Sequence, residues 1–424
     1  MARKLPIGIQ SFEKIRRDGF AYVDKTAYVH ELAQAGVPAF LSRPRRFGKS
    51  LLVSTMRAYF EGRRELFEGL EIERLEAAAA EAEGREPWVA RPVFHLDFTG
   101  KDYRTVTLED VLGEQLSRWE RAYGASGAIT LGGRFQDLLE AVHAQSGHRV
   151  AVLVDEYDKP LLDVMGDDAL LERNRGILKG FFSVLKKADD HLRFAFLTGV
   201  TKFSKVSIFS DLNQLRDITL SAAYAGACGI TEGELVRCFG PELDSMADSL
   251  GTDTEGCLAA LRAQYDGYRF HAKGPGVYNP FSLLNALAEG ELGSYWFATG
   301  TPTFLVRRMR EACLDPRRLT DGTIYADEGR LSDYRVDDPD PIPLMFQAGY
   351  LTIRSADPWT GEYTLAVPNA EVRYGLTKGL LPAWAPGYDA ARRTAEGAHD
   401  SMSDGFAPSY LGIAMPANLE VTQR

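Results

Sequence analysis

The sequence predicts an α/β fold in which a mostly parallel β-sheet is flanked by helices. Short apolar segments alternate with amphipathic stretches along the first half of the chain, as they do in βαβ units. Hydrophobic residues make up 45% of the chain and charged residues 25%, which is typical of a globular protein. A chain of 424 residues exceeds one ordinary domain, so we expect two or three cores.

The first half of the chain supplies the strands of this sheet. Apolar runs predict four strands, at Ala39–Leu41, Pro92–Phe98, Val150–Val154 and Phe194–Leu197. Helices are predicted at Lys49–Phe60, Glu71–Glu83, Thr107–Tyr123 and around Ile177–Leu185. Because strands and helices alternate, the strands should be parallel and covered on both faces. We assign residues 1–225 to this domain.

The second half of the chain is dominated by helical patterns. Thr231 is a plausible N-cap and Glu234 follows three residues later, which is the capping-box pattern. Further helices are predicted at Phe281–Leu287 and Thr303–Cys313, and a helix and two strands at Leu344–Gly349, Tyr350–Arg354 and Tyr363–Val367. We therefore predict a helical domain over residues 226–335, a small winged-helix-like module over 336–384 and a poorly ordered tail over 385–424.

Bulk properties narrow the class of protein. The net charge of -10 and the pI near 5.4 argue against binding nucleic acid by overall charge. The four cysteines are scattered without a CxxC pair, as expected of buried thiols in a reducing compartment. The amino terminus does not resemble a signal peptide, and no apolar run has the length of a membrane span. We expect a cytoplasmic protein without a membrane partner.

A phosphate-binding loop is predicted between the first strand and the helix after it. Gly48-Lys49-Ser50 fits the end of the pattern G-x-x-x-x-G-K-[ST], although Arg43 replaces its first glycine. The glycine allows close backbone approach, the lysine reaches the β- and γ-phosphates, and the serine hydroxyl binds Mg²⁺. The predicted nucleotide contacts are Arg43, Arg45, Arg46, Phe47, Gly48, Lys49, Ser50 and Leu51. The alternative is a basic surface turn that caps a helix.

Two carboxylates end the third predicted strand. Asp155 and Glu156 follow four apolar residues, which places them where ligands bind in open α/β sheets. Asp155 is predicted to hold Mg²⁺ and Glu156 to orient the attacking water, with Lys49 as the other catalytic residue. The alternative is that acids lie at strand ends because solvent is there. The order of the two motifs, with a strand-helix unit between them, favours nucleotide binding.

The next strand ends in a hydroxyl-bearing residue, Thr198. A hydroxyl at Thr198 or Thr201 is predicted to contact the γ-phosphate, and Lys202 is a further candidate for this contact. We assign the contact to Thr198. The alternative is that the threonines satisfy strand propensity and that Lys202 lies in solvent.

These residues, with several further segments, resemble a bacterial AAA-ATPase-like family. The matching segments are Gly8–Phe12, Tyr22–Thr26, Arg43–Leu52, Asp155–Pro160, Tyr265–Phe270, Tyr278–Phe281, Gln347–Thr352 and Pro368–Val372. The resemblance covers about residues 5–380, and a loop without its first glycine is usual in that family. It also implies that Tyr22–Thr26 lies near the nucleotide, whereas the residues alone allow a tight, packed turn.

The family typically carries a PD-(D/E)XK nuclease-like domain at its carboxyl terminus. Such a domain needs an acidic residue, an aspartate on a following strand and a Glu-x-Lys sequence. After Arg373 the only lysine is Lys378, and no Glu-x-Lys occurs there. We expect that this domain is absent or truncated here and that the chain has no nuclease activity.

Three functions are compatible with the sequence. The first is a slow Mg²⁺-dependent ATPase that acts as a molecular switch. The second is a nucleotide-gated regulatory scaffold that does not hydrolyse ATP. The third is a nucleic-acid-binding protein that uses the basic loop and the winged-helix-like module. A homo-oligomer or a protein partner is left open by the sequence.

Overall fold

The computed structural model describes residues 4–124, 127–203, 214–296, 323–332 and 340–384, with shorter pieces between 305 and 338, and side chains as far as residue 378. The predicted tail over 385–424 and most of the predicted helix Thr303–Cys313 lie outside the described residues. The chain divides into two compact units, Met1–Leu376 and Thr377–Arg424. All the strands belong to the first unit.

A five-stranded parallel sheet forms the centre of the first half. Its strands are β1 (Ala39–Ser42), β2 (Val93–Asp97), β3 (Val150–Asp155), β4 (Leu192–Gly199) and β5 (Arg216–Asp217), in the order β2-β3-β4-β1-β5. Every paired neighbour is parallel. β1 and β3 are buried along their whole length, as apolar strands inside a parallel sheet should be. The predicted α/β fold with a mostly parallel sheet is confirmed.

Helices flank this sheet. They are α1 (Phe12–Arg17), α2 (Thr26–Ala35), α3 (Lys49–Phe60), α4 (Glu71–Glu83), α5 (Leu108–Tyr123), α6 (Leu131–Ser146), α7 (Lys159–Leu162), α8 (Asp168–Phe182) and α9 (Val184–Lys187). The predicted bounds of α3 and α4 are confirmed. α3 leaves the end of β1 and packs against β3, so the loop between β1 and α3 lies close to the residues that end β3.

The segment after the sheet is helical, as predicted. It contains α10 (Glu232–Cys238), α11 (Gly240–Leu250), α12 (Thr254–Tyr265) and α13 (Pro280–Glu289). The capping box at the start of α10 is confirmed, because the Thr231 side chain accepts from the Glu234 amide and the Glu234 carboxylate accepts from the Thr231 amide. Leucines and aromatic residues from these helices form one buried core.

A small antiparallel sheet follows. Its strands are β6 (Ile324–Ala326), β7 (Thr352–Ala356) and β8 (Tyr363–Ala366), in the order β6-β8-β7, with helices α14 (Glu328–Ser332), α15 (Ile342–Gln347) and α16 (Ala370–Trp384). The predicted helix and two strands are present, and β6 is an additional strand. The winged-helix assignment and the three boundaries between the four predicted regions stay predictions. In the part of the chain that is described, no helix has the length and apolarity to cross a membrane.

Candidate functional site

Three neighbouring strands deliver their last residues to one edge of the central sheet. β1, β4 and β3 are adjacent and parallel, so their carboxyl ends meet there. Ser42 lies opposite Gly199 across the β1–β4 pair, and Asp155 ends β3. The chain leaves β1 through a basic loop and enters α3 at Lys49. This topology places the loop beside Asp155.

Backbone carbonyl groups of the loop between β1 and α3 bind the side chain of Lys49. The Nζ atom of Lys49 donates hydrogen bonds to the carbonyl oxygens of Arg43, at 2.9 Å, and Pro44, at 3.1 Å. Gly48 precedes the helix with a φ of 94°, a conformation that favours glycine because a side chain would be strained there. Lys49 is only 5% exposed. The loop therefore holds a buried cation at the start of a helix, where the first amides are free to bind an anion.

A cluster of carboxyl groups faces Lys49. Burial lowers the pKa of the Lys49 ammonium, while Glu156, Asp155 and Asp158 favour its charged form. Burial raises the pKa of Asp155 to about 6, against a hydrogen bond from Ser50 and the charge of Lys49, which lower it. The structure thus brings Lys49, Ser50 and Asp155 together, as the order of the motifs predicted.

Asp155 keeps one oxygen without a hydrogen bond. Its Oδ1 atom is buried and has no partner among the described residues, and the same holds for the hydroxyl oxygens of Thr198 and Thr201. Buried polar atoms are nearly always paired, so an orphaned carboxylate oxygen indicates a ligand or an ion as its partner. Oδ1 of Asp155 is therefore available at this edge of the sheet to accept a hydrogen bond or to bind a metal ion.

Asp158, unlike Oδ1 of Asp155, binds backbone amides of the protein. Its Oδ2 atom accepts hydrogen bonds from the amides of Val200, at 3.0 Å, and Thr201, at 2.6 Å. Burial raises the pKa of Asp158 to about 7, while the Thr201 amide and the charge of Lys49 act in the opposite direction. Asp158 holds the backbone that follows β4, which gives it a structural function.

Glu156 has a strained backbone. Its φ is 50°, a region that costs a residue with a side chain roughly 1–3 kcal/mol and is concentrated at functional sites. The residue is partly exposed and lines the cavity described below. Glu156 therefore reaches the cavity, whereas the buried Asp158 is not among its lining residues.

The arginines of the loop mainly contact protein. Arg43 is 1% exposed and donates to the carbonyl oxygens of Ser42, Thr219 and Tyr224 at 2.8–3.0 Å. Its guanidinium also lies 4.0 Å from the centre of the Phe270 ring, and burial lowers its pKa to about 10. Arg43 therefore anchors the base of the loop.

The next two arginines lie nearer to the ligand side. Arg46 donates to the carbonyl oxygen of Tyr295 at 3.2 Å and lies 3.8 Å from the centre of the Phe281 ring. It adopts a φ of 70°, so its backbone is strained like that of Glu156. Arg45 is exposed.

A cavity of about 430 Å³ opens beside the loop, within the usual range for small-molecule sites of roughly 300–1,000 Å³. The charged residues of its lining include Arg45, Lys49 and Glu156. The predicted contacts Arg46, Phe47, Gly48, Ser50 and Leu51 also line it. Arg43 and Thr198 are buried elsewhere and are not among the lining residues.

Part of the cavity lining is apolar, and this part was not predicted from the pattern of residues. It consists of Ile9, Ala21, Val23, Ile230, Phe239, Phe281 and Leu284. These residues come from the amino-terminal segment and from the helical segment after the sheet. Each is an ordinary apolar residue in its own stretch of sequence, so nothing local distinguishes it from the core.

The Tyr22–Thr26 segment both forms a packed turn and lines the cavity. The Asp24 carboxylate accepts from the amide and hydroxyl of Thr26 and from the amide of Glu71. The Nζ atom of Lys25 contacts the Glu234 carboxylate at 2.6 and 2.7 Å. Lys25 lines the cavity as well. The segment therefore ties the cavity to the capping box of α10.

Segments from the carboxyl-terminal half of the chain pack against the loop between β1 and α3. Phe47 packs edge-on against Tyr268, with 4.8 Å between the ring centres. A Cβ atom on Gly349 would lie 2.8 Å from Cβ of Pro44. Beyond β4, the amide of Lys202 donates to Oε1 of Gln347 at 2.9 Å, while its ammonium pairs with Asp217. The loop is thus held between the sheet and the region that contains the small antiparallel sheet.

Two comparisons bear on this site. A family model described as AAA-ATPase-like, predicted AAA-ATPase, matches residues 6–209, which contain the loop, Asp155 and Glu156. A protein of Azotobacter chroococcum mcd 1, described as an uncharacterized protein in the vnfD 5' region, is 42% identical over 390 residues. The match covers 91% of this chain and 71% of that protein. It therefore extends through the helical segment and the small antiparallel sheet.

Proposed function

This chain belongs to the family of predicted AAA-ATPases, and we propose from this premise that it binds ATP with Mg²⁺ beside Lys49 and hydrolyses the nucleotide slowly. Family membership itself indicates ATP binding. The single observation that carries the proposal is the gathering of Lys49, Ser50 and Asp155 at one edge of the parallel sheet. That edge is where ligands bind in open α/β folds.

The phosphates are assigned to the charged residues of the cavity lining. The Lys49 ammonium exchanges its bonds to two loop carbonyls for bonds to phosphate oxygens, which are stronger because both groups are charged. The amides at the start of α3 add further donors. Gly48 leaves the approach open, since nothing lies within 4 Å of the position that a Cβ atom would occupy.

The residues at this edge also fit Mg²⁺. Magnesium uses hard oxygen ligands, commonly one or two from the protein together with phosphate oxygens and waters. The Ser50 hydroxyl and the orphaned Oδ1 of Asp155 are oxygens of that kind. In the described ranges no three His, Cys, Asp or Glu side chains are grouped to hold a metal on their own, which matches a site that shares its ion with a substrate. When bound, Mg²⁺ neutralises charge on the phosphate oxygens.

Hydrolysis is assigned to Glu156. Its carboxylate accepts a proton from a water molecule whose oxygen forms a bond to the γ-phosphorus, while the bond to the bridging oxygen of ADP breaks. The products are ADP and inorganic phosphate. Turnover is expected to be slow, because Arg46 is held by Tyr295 and Phe281 and Arg45 is exposed. Neither arginine is committed to the charge of the transition state.

The base and ribose are assigned to the apolar residues of the cavity lining. These residues join the amino-terminal segment, through Ile9 and Val23, to the helical segment, through Phe281 and Leu284. A ligand that touches both segments and the loop stabilises the arrangement in which all three are close. This is the physical basis of the proposed switch.

Titration calorimetry with ATP, ADP and GTP in the presence of Mg²⁺, together with a phosphate-release assay, tests the proposal. Binding of ATP with release of phosphate supports the switch. Binding without release above background supports the scaffold. Absence of ATP binding to a folded protein contradicts both. The nucleic-acid alternative gains nothing from the loop, where Arg43 and Arg46 are engaged by protein groups.

A further inference from the structure

Three arginines meet at the edge of the central sheet opposite the nucleotide cavity. Arg91 lies just before β2, Arg149 immediately before β3, and Arg193 is the second residue of β4. These strands are adjacent and parallel, so their amino ends meet. A fourth arginine, Arg85, follows α4 and lies near them. The fold thus concentrates positive charge at this edge.

The three sheet arginines have no counter-ion among the residues that the structure describes. Arg85 is different, because it pairs with Glu76 at 2.6 Å and with Glu83 at 2.5 Å. Burial lowers the pKa of Arg91 and of Arg193, and the neighbouring arginines lower both further, while Glu83 acts in the opposite direction on Arg193. Arg149 is exposed, but Arg91 and Arg193 are half-buried. Half-buried like charges without an ion pair are costly, so this arrangement is expected to serve a ligand.

A small cavity of about 30 Å³ lies between these groups. It is lined by Arg85, Arg91 and Arg193, with Gln34, Tyr59 and Trp88 among its other walls. A water needs roughly 10–15 Å³ of such space, so the cavity suits one small oxyanion and excludes a nucleotide base.

Glu76 also lines this cavity, but both of its carboxylate oxygens already accept hydrogen bonds. The Oε1 atom of Glu76 accepts from Arg85 and from the amide of Trp88, and its Oε2 atom accepts from the Tyr59 hydroxyl at 2.7 Å. Burial raises the pKa of Glu76, but hydrogen bonds from His30, Arg85, Tyr59 and the Trp88 amide outweigh it and hold this pKa well below its usual value. Glu76 therefore positions Arg85 and makes no ion pair with Arg91 or Arg193.

Gly36, which follows α2, leaves room for the Arg193 side chain. A Cβ atom on Gly36 would lie 2.8 Å from Nη1 of Arg193, so a larger residue at this position would displace the guanidinium. The planar fork of a guanidinium is pre-organised for an oxyanion.

We propose that Arg91 and Arg193, supported by Arg85, form a second binding site that takes the phosphate group of a small phosphorylated ligand or free phosphate. Guanidinium groups bind phosphate through paired, charge-assisted hydrogen bonds. The proposal is independent of ATP hydrolysis, because the two sites lie at opposite ends of the strands.

The test uses the full chain carrying Lys49→Met, so that phosphate cannot bind through the lysine of the nucleotide cavity. Inorganic phosphate is titrated at low salt while the unfolding temperature is followed. Phosphate should raise this temperature for the parent and for Arg121→Ala, a control that removes an exposed arginine on α5. Arg193→Ala should weaken the response at least about tenfold.

Without phosphate, Arg193→Ala should unfold at the same temperature as the parent or at a higher one, because a repelled charge has been removed. A purely structural arginine would instead lower the unfolding temperature. If Arg193→Ala does not fold, Gly36→Ala displaces the guanidinium without removing its charge, and it should weaken phosphate binding. Gly147→Ala is its control, since that glycine also has a positive φ and open space around it.

Two results overturn the proposal. One is that phosphate does not raise the unfolding temperature of the parent, or that it raises this temperature equally in the parent, in Arg193→Ala and in Gly36→Ala. The other is a single-stranded oligonucleotide that competes with phosphate and binds more tightly through Arg193, which would assign the site to nucleic acid.

Discussion

The side chain of Ser50, in the first turn of α3, hydrogen-bonds to the carboxylate of Asp155 at the end of β3. β4 separates β1 from β3 in the sheet, so this bond links elements that are neighbours in neither sequence nor strand order. The bond and the charge of Lys49 partly offset the cost of burying the carboxylate. A phosphate-binding loop and an acidic strand end thus form one site.

Glu156→Gln should abolish phosphate release while ATP affinity changes by less than about twofold. The amide preserves the shape of the side chain but cannot accept the proton of the attacking water. Steady-state phosphate release and calorimetry with ATP and Mg²⁺ measure the two effects separately. Glu81→Gln, at an exposed position on α4, is the control and should match the unaltered protein. Full activity of Glu156→Gln would assign catalysis elsewhere.

Binding of ATP with Mg²⁺ should weaken as the pH falls through about 6. The pKa of Asp155 is raised to about 6, and a protonated carboxyl is a poor ligand for Mg²⁺. Calorimetry between pH 5 and pH 8 measures this dependence at fixed ionic strength. The drop should shrink when Mg²⁺ is removed by chelation. Equal affinities at both ends of the range would show that Asp155 does not hold the ion.

The free energy of unfolding of Asp158→Asn should exceed that of the unaltered protein. This difference should grow as the pH rises from about 4 to about 7. The pKa of Asp158 is raised to about 7 in the folded state. Its contribution to stability is therefore complete below its ordinary pKa and is lost as the pH rises through 7. At about 1.4 kcal/mol per pKa unit, the change should reach a few kcal/mol.

Urea unfolding at several pH values measures the free energy of unfolding for this comparison. Asp168→Asn, at an exposed aspartate on α8, is the control and should show little change with pH. A constant difference between Asp158→Asn and the unaltered protein from pH 4 to pH 7 would mean that the folded pKa of Asp158 is ordinary.

Gly349→Ala should weaken ATP binding about tenfold, or by about 1.4 kcal/mol, although Gly349 is far along the chain from the loop. The added methyl group would lie 2.8 Å from Pro44, whose carbonyl oxygen holds Lys49. Gly361→Ala is a matched control, because Gly361 also has a positive φ but nothing within 4 Å. Both variants carry the same backbone strain. Equal ATP affinities for the two would show that the contact with Pro44 does not reach the site.

The sequence was sufficient for the parts of the fold that rest on local pattern. α3 and α4 have the predicted bounds, and the buried strands follow from runs of apolar residues. The meeting of Lys49 and Asp155 was predictable because parallel strands bring their carboxyl ends to one edge. β5 and β6 were not predicted, since two or three residues show no periodicity.

Long-range packing decides the features that the sequence could not supply. The guanidinium of Arg43 turns to the carbonyl oxygens of Thr219 and Tyr224, which are remote in sequence. The sequence alone does not show whether a basic residue in a predicted phosphate-binding loop contacts phosphate or these carbonyl oxygens. The apolar part of the cavity lining also depends on long-range packing. Phe281 and Ile9 line the same cavity only because the helical segment packs beside the amino-terminal segment.

Thermal unfolding with and without ATP and Mg²⁺, in the unaltered protein and in Lys49→Met, tests the central claim most directly. Methionine keeps the length of the buried stem and removes the charge, and Lys187→Ala, at an exposed lysine on α9, is the control. At 100 times the dissociation constant, ATP should stabilise the unaltered protein and the control by about 2.7 kcal/mol and should not stabilise Lys49→Met. Equal stabilisation of all three proteins would contradict the assignment of the phosphate site to Lys49.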